Sequence, residues 1–134
     1  MKYFTFSKFK KKSGSLVPIS LAKDIPFKTK RVFLIYGNKN FVRGNHAHKK
    51  CSQFLIPVYG KIRLDYFDKE KSGSILLDSN KKRGVLLKPL TWCKLKFLSK
   101  NSIIMVFCDR EYEYKDYIEK LLDFKKILTK KKLS

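Results

Sequence analysis

The only two histidines of the chain, His46 and His48, stand either side of one alanine in the run RGNHAHKK, residues 43–50. Imidazole is the side chain whose unperturbed pKa lies near neutrality, so such a pair suits proton transfer or metal ligation. The plainer reading is a polar pair on a half-exposed strand. On a strand, residues i and i+2 point to the same face, roughly 6.5–7 Å apart. His46 and His48 would then converge on one small molecule or ion. Arg43 and Lys49 flank them, and two cations favour an anionic ligand over a metal ion. Cys51, Cys93 and Cys108 have no C-x-x-C spacing. They read as free thiols of a cytoplasmic protein.

Such a pair needs rigid elements to hold it, and the surrounding sequence predicts strands. "SLVPIS" (residues 15–20), "RVFLIYG" (31–37) and "SQFLIPVYG" (52–60) are rich in β-branched, aromatic and other apolar residues. In "KIRLDYFD" Ile62, Leu64 and Tyr66 alternate with Arg63, Asp65 and Phe67. "SILLD", "GVLLKP", "KLKFLS" and "SIIMVFCD" follow, separated by turns rich in Gly, Ser, Asn and Lys. Short strands at this spacing predict an all-β sandwich or barrel. After Cys108 the period lengthens. Ile118, Leu121, Leu122 and Leu128 fall near helical spacing, predicting a C-terminal helix over 115–128, with Asp116 a candidate N-cap and a basic tail over 129–134.

Length and charge bound the answer. At 134 residues and 43% hydrophobic, the chain is long enough for one domain, 1–134, with its own core. No stretch approaches the roughly 20 apolar residues that cross a bilayer. The N-terminus lacks the apolar run of a signal peptide, so a cytoplasmic location is expected. The formal charge of +21 comes mostly from lysine, since all but five of the 32 basic residues are lysines. They are scattered rather than clustered, and no RNP, zinc-finger or P-loop pattern occurs, so no nucleic-acid partner is expected.

Spacing sharpens the histidine reading. Four residues separate His48 from Gln53, and six more lead to Gly60. This resembles the first motif of the cupin family, H-x-H-x4-E-x6-G, with glutamine in the glutamate position. The resemblance implies a double-stranded β-helix, a small jelly roll around a ligand cavity. In metal-binding cupins the ligands are two histidines, the glutamate and a later third histidine. Here Gln53 is a neutral, weaker ligand and a third histidine does not exist. A metal is therefore not expected.

The longer run RGNHAHKKCSQFLIPVYGKIRL is similar to one branch of the cupins, the nucleotide-sugar 3,4-ketoisomerases, whose signature is R-G-x-H-A-H-K-x4-Q with a later glycine. "SGSLVPI", "IPFKTKRVFLIYG", "KPLTW" and "YEYKDYIEKLLDF" extend the likeness over nearly the whole chain. Three positions depart from the family pattern: Ser13 replaces a frequent arginine, Cys93 a frequent histidine after the tryptophan, and Glu119 an arginine.

The resemblance implies conversion of dTDP-4-keto-6-deoxyglucose to a dTDP-3-keto-6-deoxyhexose, a step in making deoxyaminosugars for lipopolysaccharide or other surface glycans. It implies no cofactor, because the substrate's own ketone is the electron sink, and it implies a homodimer. A proton leaves C3, an enediol or enediolate forms, a proton enters at C4, and a hydroxyl proton moves from O3 to O4. His46 and His48 are the expected catalytic pair, His48 at the carbon-bound proton and His46 at the oxygens. Expected substrate contacts are Arg31, Arg43 and Lys49 at the diphosphate and sugar oxygens, Tyr36 at thymine or sugar, and Gln53, Trp92 and Tyr112. Two imidazoles on one strand face favour a galacto product at C4. Competing readings are a 3,5-epimerase acting beside the same ketone, a non-catalytic sugar-nucleotide module and a metal-dependent oxygenase.

Overall fold

The computed structural model describes residues 1–133, with side chains through residue 130. Strands are β1 (Tyr3–Thr5), β2 (Phe9–Lys11), β3 (Gly14–Leu16), β4 (Arg31–Gly37), β5 (Val42–His48), β6 (Gln53–Tyr59), β7 (Lys61–Phe67), β8 (Ser72–Asp78), β9 (Arg83–Leu87), β10 (Trp92–Phe97), β11 (Ser102–Cys108) and β12 (Tyr117–Ile118). A one-turn helix α1 (Leu21–Asp24) precedes β4, and α2 (Leu121–Leu133) ends the chain.

Ten strands form two five-stranded sheets, in the orders β1-β9-β6-β11-β4 and β12-β5-β10-β7-β8, and every strand pairing among the described residues is antiparallel. Facing sheets of this kind make the jelly-roll sandwich that the cupin resemblance implied. The strand period of two decides what lies between the sheets. Leu55 on β6, Ile62 and Leu64 on β7, Leu95 and Phe97 on β10, and Ile104 and Val106 on β11 point inward and share one core. Cys51, Cys93 and Cys108 belong to the same core, unbridged.

Each sheet also covers part of its outer face. Phe54 and Phe107, the neighbours in sequence of inward residues, point outward and bury Phe6, Ile25 and Ile56 with them. The other sheet buries Ala47, Trp92 and Ile118 beneath Phe124 of α2. Fully covering one such aromatic side chain contributes about 1.5–3 kcal/mol.

The C-terminal helix departs from the expected 115–128. Residues 114–116 form a 3-10 turn, and Tyr117–Ile118 pair with His48 and Ala47 of β5. Asp116 is therefore no N-cap of α2. Its carboxylate accepts the backbone N–H groups of Lys50 at 2.7 Å and Cys51 at 3.2 Å, which holds this segment to β5. Of the apolar positions that suggested the helix, Leu121 and Leu122 are exposed, and the buried contact is made by Phe124. The helix continues through the expected basic tail to Leu133, and Ser134 lies outside the described residues.

β2 and β3 pair only with each other among the described residues, and all six of their residues are exposed. No helix among the described residues is long and apolar enough to cross a membrane.

Candidate active site

β5 carries the histidines, and a bulge sets which side chains accompany them. Cys93 pairs with His46 while Lys94 pairs with Gly44, leaving Asn45 as the extra residue. Gly44 at φ 79° and Asn45 at φ 62° supply the left-handed backbone that the bulge requires. Without it, period-two alternation would send Arg43 to the face opposite His46. With it, Arg43 pairs with the inward-facing Leu95 and joins His46 at a cavity of about 420 Å³. Gly44 also lets the backbone approach Cys93, whose carbonyl oxygen would lie 3.2 Å from an added Cβ.

The cavity lies between the sheets and opens beside β4. Tyr36, Arg43, His46, Gln53, Cys93 and Tyr117 give its wall the groups with chemistry, and Leu55, Leu87, Leu95 and Val106 are among its apolar lining. His48 stands behind His46, ring centroids 5.1 Å apart and nearly perpendicular. Tyr117 packs on both rings, at 5.2 Å from His46 and 4.3 Å from His48.

Asp116 fixes His48. Its Oδ2 lies 3.2 Å from Nδ1 of His48, in a buried pair. The carboxylate accepts, so Nδ1 carries the proton and Nε2 keeps its lone pair. Nε2 is buried without a partner among the described residues, and His48 is only 5% exposed. Burial, and then the neighbouring His46, lower the His48 pKa to about 4 against the pull of Asp116. Burial also lowers that of His46. Both imidazoles are therefore neutral at pH 7, the form a general base needs.

The opposing sheet contributes a row across three strands. Cys108 of β11 pairs with Arg31 of β4 on one side and Gln53 of β6 on the other. Arg31 is half-buried; its guanidinium lies over the rings of Phe33 at 5.3 Å and Tyr112 at 5.6 Å.

The expected contacts divide. Tyr36, Arg43 and Gln53 line the cavity with His46, and Tyr36 is 69% exposed at its mouth. Arg31 is outside the cavity lining, beside Cys108, and Tyr112 meets Arg31 and Tyr117 without lining the cavity. Lys49 is exposed and outside the lining; its backbone N–H goes to the Asp116 carbonyl at 2.8 Å. Trp92 is a correction. Its neighbour Cys93 faces inward opposite His46, so Trp92 faces outward and packs with Ala47 and Phe124. Tyr117, Asp116 and Cys108 were not among the expected contacts. The signal for the first two was in the D-Y-I tail; nothing in the sequence marked Cys108.

A cupin metal does not fit these residues. Gln53 stands in the glutamate position, no third histidine exists in the chain, and the thiol of Cys93, opposite His46, is pushed up to about 12 by burial. His48, Cys51 and Asp116 do bring donor atoms within 4.8 Å of one another. The Asp116 oxygens there are already taken by His48 and two backbone N–H groups.

A family model described as "FdtA: WxcM-like, C-terminal" matches residues 1–129. The chain belongs to that family. It is 36% identical over 130 residues, 96% of this chain and 93% of the relative, to a TDP-4-oxo-6-deoxy-alpha-D-glucose-3,4-oxoisomerase of Aneurinibacillus thermoaerophilus. Its fold matches a sugar 3,4-ketoisomerase from Thermoanaerobacterium thermosaccharolyticum in complex with TDP, at 28% identity and TM-score 0.89, covering 97% of this chain and 95% of that one. A 3,4-ketoisomerase from Helicobacter canadensis matches at 29% identity and TM-score 0.88, covering 96% of each chain. An rmlC epimerase from Mycobacterium tuberculosis, at 16% identity and TM-score 0.75, covering 86% of this chain and 66% of that one, shares the fold alone.

Proposed function

We propose that the protein is a 3,4-ketoisomerase acting on TDP-4-keto-6-deoxyglucose. The observation that carries this reading is a cavity walled by a neutral imidazole, an arginine and a neutral amide, with a second imidazole oriented behind the first. The ketone acidifies the C3 hydrogen, and a neutral imidazole takes that proton. The electron pair becomes the C3–C4 enediolate. Reprotonation at C4 and transfer of the hydroxyl proton from O3 to O4 leave the ketone at C3. Donors aimed at the enediolate oxygen each supply on the order of 10²–10³-fold in rate, and we assign that role to Arg43, which lines the cavity beside His46.

The cavity wall favours the reverse of the expected division of labour. His46 lines the cavity and takes the carbon-bound proton. His48, with Nδ1–H held by Asp116, offers the Nε2 lone pair to a sugar hydroxyl. A non-catalytic module has no use for an oriented second imidazole, and the epimerase likeness extends to the fold only.

The partner we infer is a second copy of this chain, with no nucleic-acid partner. The β2–β3 hairpin supports the dimer: a free two-stranded hairpin is marginally stable, and it exposes Phe9 at 59% and Leu16 at 65%. Edge strand β4 adds exposed Val32 and Leu34. We place the enzyme in the cytoplasm, where nucleotide sugars are made, in a route to a surface glycan.

The test is incubation with TDP-4-keto-6-deoxyglucose in D₂O and observation of the sugar-ring protons by NMR, with and without EDTA. A ketone moving from C4 to C3, unaffected by EDTA, is expected. An unchanged sugar, or exchange at C5, refutes the assignment. Because both imidazoles reach from one strand face, a galacto product with some C3 hydrogen carried to C4 is expected. A gluco product refutes the shared-face transfer alone.

A further inference from the structure

Arg31 is a half-buried cation without a carboxylate partner among the described residues, where the only side-chain ion pairs are His48–Asp116 and Arg63–Asp65. Its Nη2 donates to Cys108 Sγ at 3.4 Å, and Nε is buried with no hydrogen-bond partner among the described residues. The same sulfur lies 3.8 Å from Gln53 Nε2. Cys108 is 0% exposed, at the C-terminal end of β11, and the two donors are its cross-strand partners on β4 and β6. A neutral thiol is a poor acceptor for a guanidinium and an amide together. A thiolate satisfies both.

We propose that the Cys108 sulfur is the common anionic acceptor that positions Arg31 and Gln53 for the nucleotide sugar. It is a positioning residue that touches no reacting atom. The part concerning the sugar ligand rests on the ketoisomerase reading; the thiolate itself does not. A carboxylate in this place would hold Arg31 with a strong bidentate pair and compete with an incoming diphosphate. Sulfur is large, polarisable and a weaker acceptor, so it orients the guanidinium while leaving donors free.

The groups facing Cys108 are Arg31 from β4, Gln53 from β6, Tyr117 from β12 and the thiol of Cys51, with Asp109 beyond Cys51. The Cys51 hydrogen bond first, then Arg31 and Gln53, lower the Cys108 pKa against burial, while Cys51 is raised. Cys51 has one proton to donate, and the Ser52 carbonyl at 3.4 Å competes for it. The arginine charge and the amide donor act on Cys108 whichever way that proton points.

Thiolate absorbance of the intact protein, followed against pH, reads the proposal directly. One thiolate should appear well below the ordinary thiol value of ~8.5. Cys108→Ala should abolish it, and Arg31→Met should shift it upward by about a pH unit or more, an effect that a merely space-filling cysteine would not show. Calorimetry with TDP should give a Kd about ten-fold weaker for Cys108→Ala and an intermediate one for Cys108→Ser. KM for the sugar nucleotide should rise more than kcat falls. A wild-type protein with no thiolate below that value overturns the proposal, as does a Cys108→Ala protein with unchanged TDP affinity. If Cys108→Ala fails to fold, the wild-type and Arg31→Met titrations decide. Wild-type protein that ignores TDP refutes the ketoisomerase reading, while the titration still decides the thiolate.

Discussion

Neutral imidazoles make the residue-scale argument quantitative. His46→Asn and His48→Asn should each lower kcat by about two orders of magnitude or more with the fold retained, since each removes one acid–base group. The two need not fail alike. If His46 takes the carbon-bound proton, its variant should lose exchange of the C3 hydrogen with D₂O, whereas the His48 variant should keep residual exchange. Asp116→Asn should lower kcat by roughly ten-fold or more through a misoriented His48. Asp116→Ala should also cost roughly 2–4 kcal/mol of stability in chemical denaturation, because it strands the N–H groups of Lys50 and Cys51. Both histidine pKa values lie below the usual 6.5. The acid limb of kcat/KM should therefore fall below pH 6.5, and a limb at or above it would refute the neutral pair. For stability the sign follows from the same lowering. Between pH 6.5 and about 4, the unfolded chain binds a proton that folded His48 does not. Stability should fall with acidity across that window, by at most about 1.4 kcal/mol per pH unit from this group.

At the scale of the element, the bulge in β5 is the feature on which the site depends. It converts an ordinary alternating strand into one that presents Arg43 and His46 to the same cavity, with His48 behind His46. Gly44→Val should strain a backbone held at φ 79° and press a side chain on the Cys93 carbonyl. The expected cost is about 1–3 kcal/mol, with weaker TDP binding as Arg43 shifts. A variant with wild-type stability and affinity would show that the bulge is dispensable. β12 works with β5 in the same way. Two residues of strand pairing, anchored by Asp116, bring Tyr117 over both imidazoles, while Ile118 packs outward under α2.

For the whole molecule, the two sheets divide the labour: one carries the imidazoles and Tyr117, the other the row of Arg31, Cys108 and Gln53. The β2–β3 hairpin and the exposed apolar side chains of β4 form the surface we propose for a second copy. Light scattering should give about twice the 15.8 kDa chain mass. Replacing both Phe9 and Leu16 with glutamate should shift the particle toward monomer. A wild-type monomer at micromolar concentration would refute the dimer.

Much of this was legible in the chain because it is written in local pattern. Alternation in "KIRLDYFD" fixed which face of β7 is buried, and H-x-H put two imidazoles on one face of β5. The missing third histidine and the neutral Gln53 are likewise read from the sequence alone, as an expectation against a metal. What the sequence could not decide was which of two neighbouring residues faces the cavity. Trp92 and Cys93 are equally apolar, and only the pairing of Cys93 with His46 sends the tryptophan outward. The helical spacing after Cys108 was similarly ambiguous. A buried carboxylate bonded to β5 held 117–118 as strand and delayed α2 to Leu121. Asp116 beside His48 is 68 residues away in sequence, and Cys108 beside Arg31 is 77. Such long-range pairs leave no mark in periodicity or propensity. They arise only when sheet pairing brings distant strands together, so the tertiary structure alone set the orientation of His48 and the anchoring of Arg31.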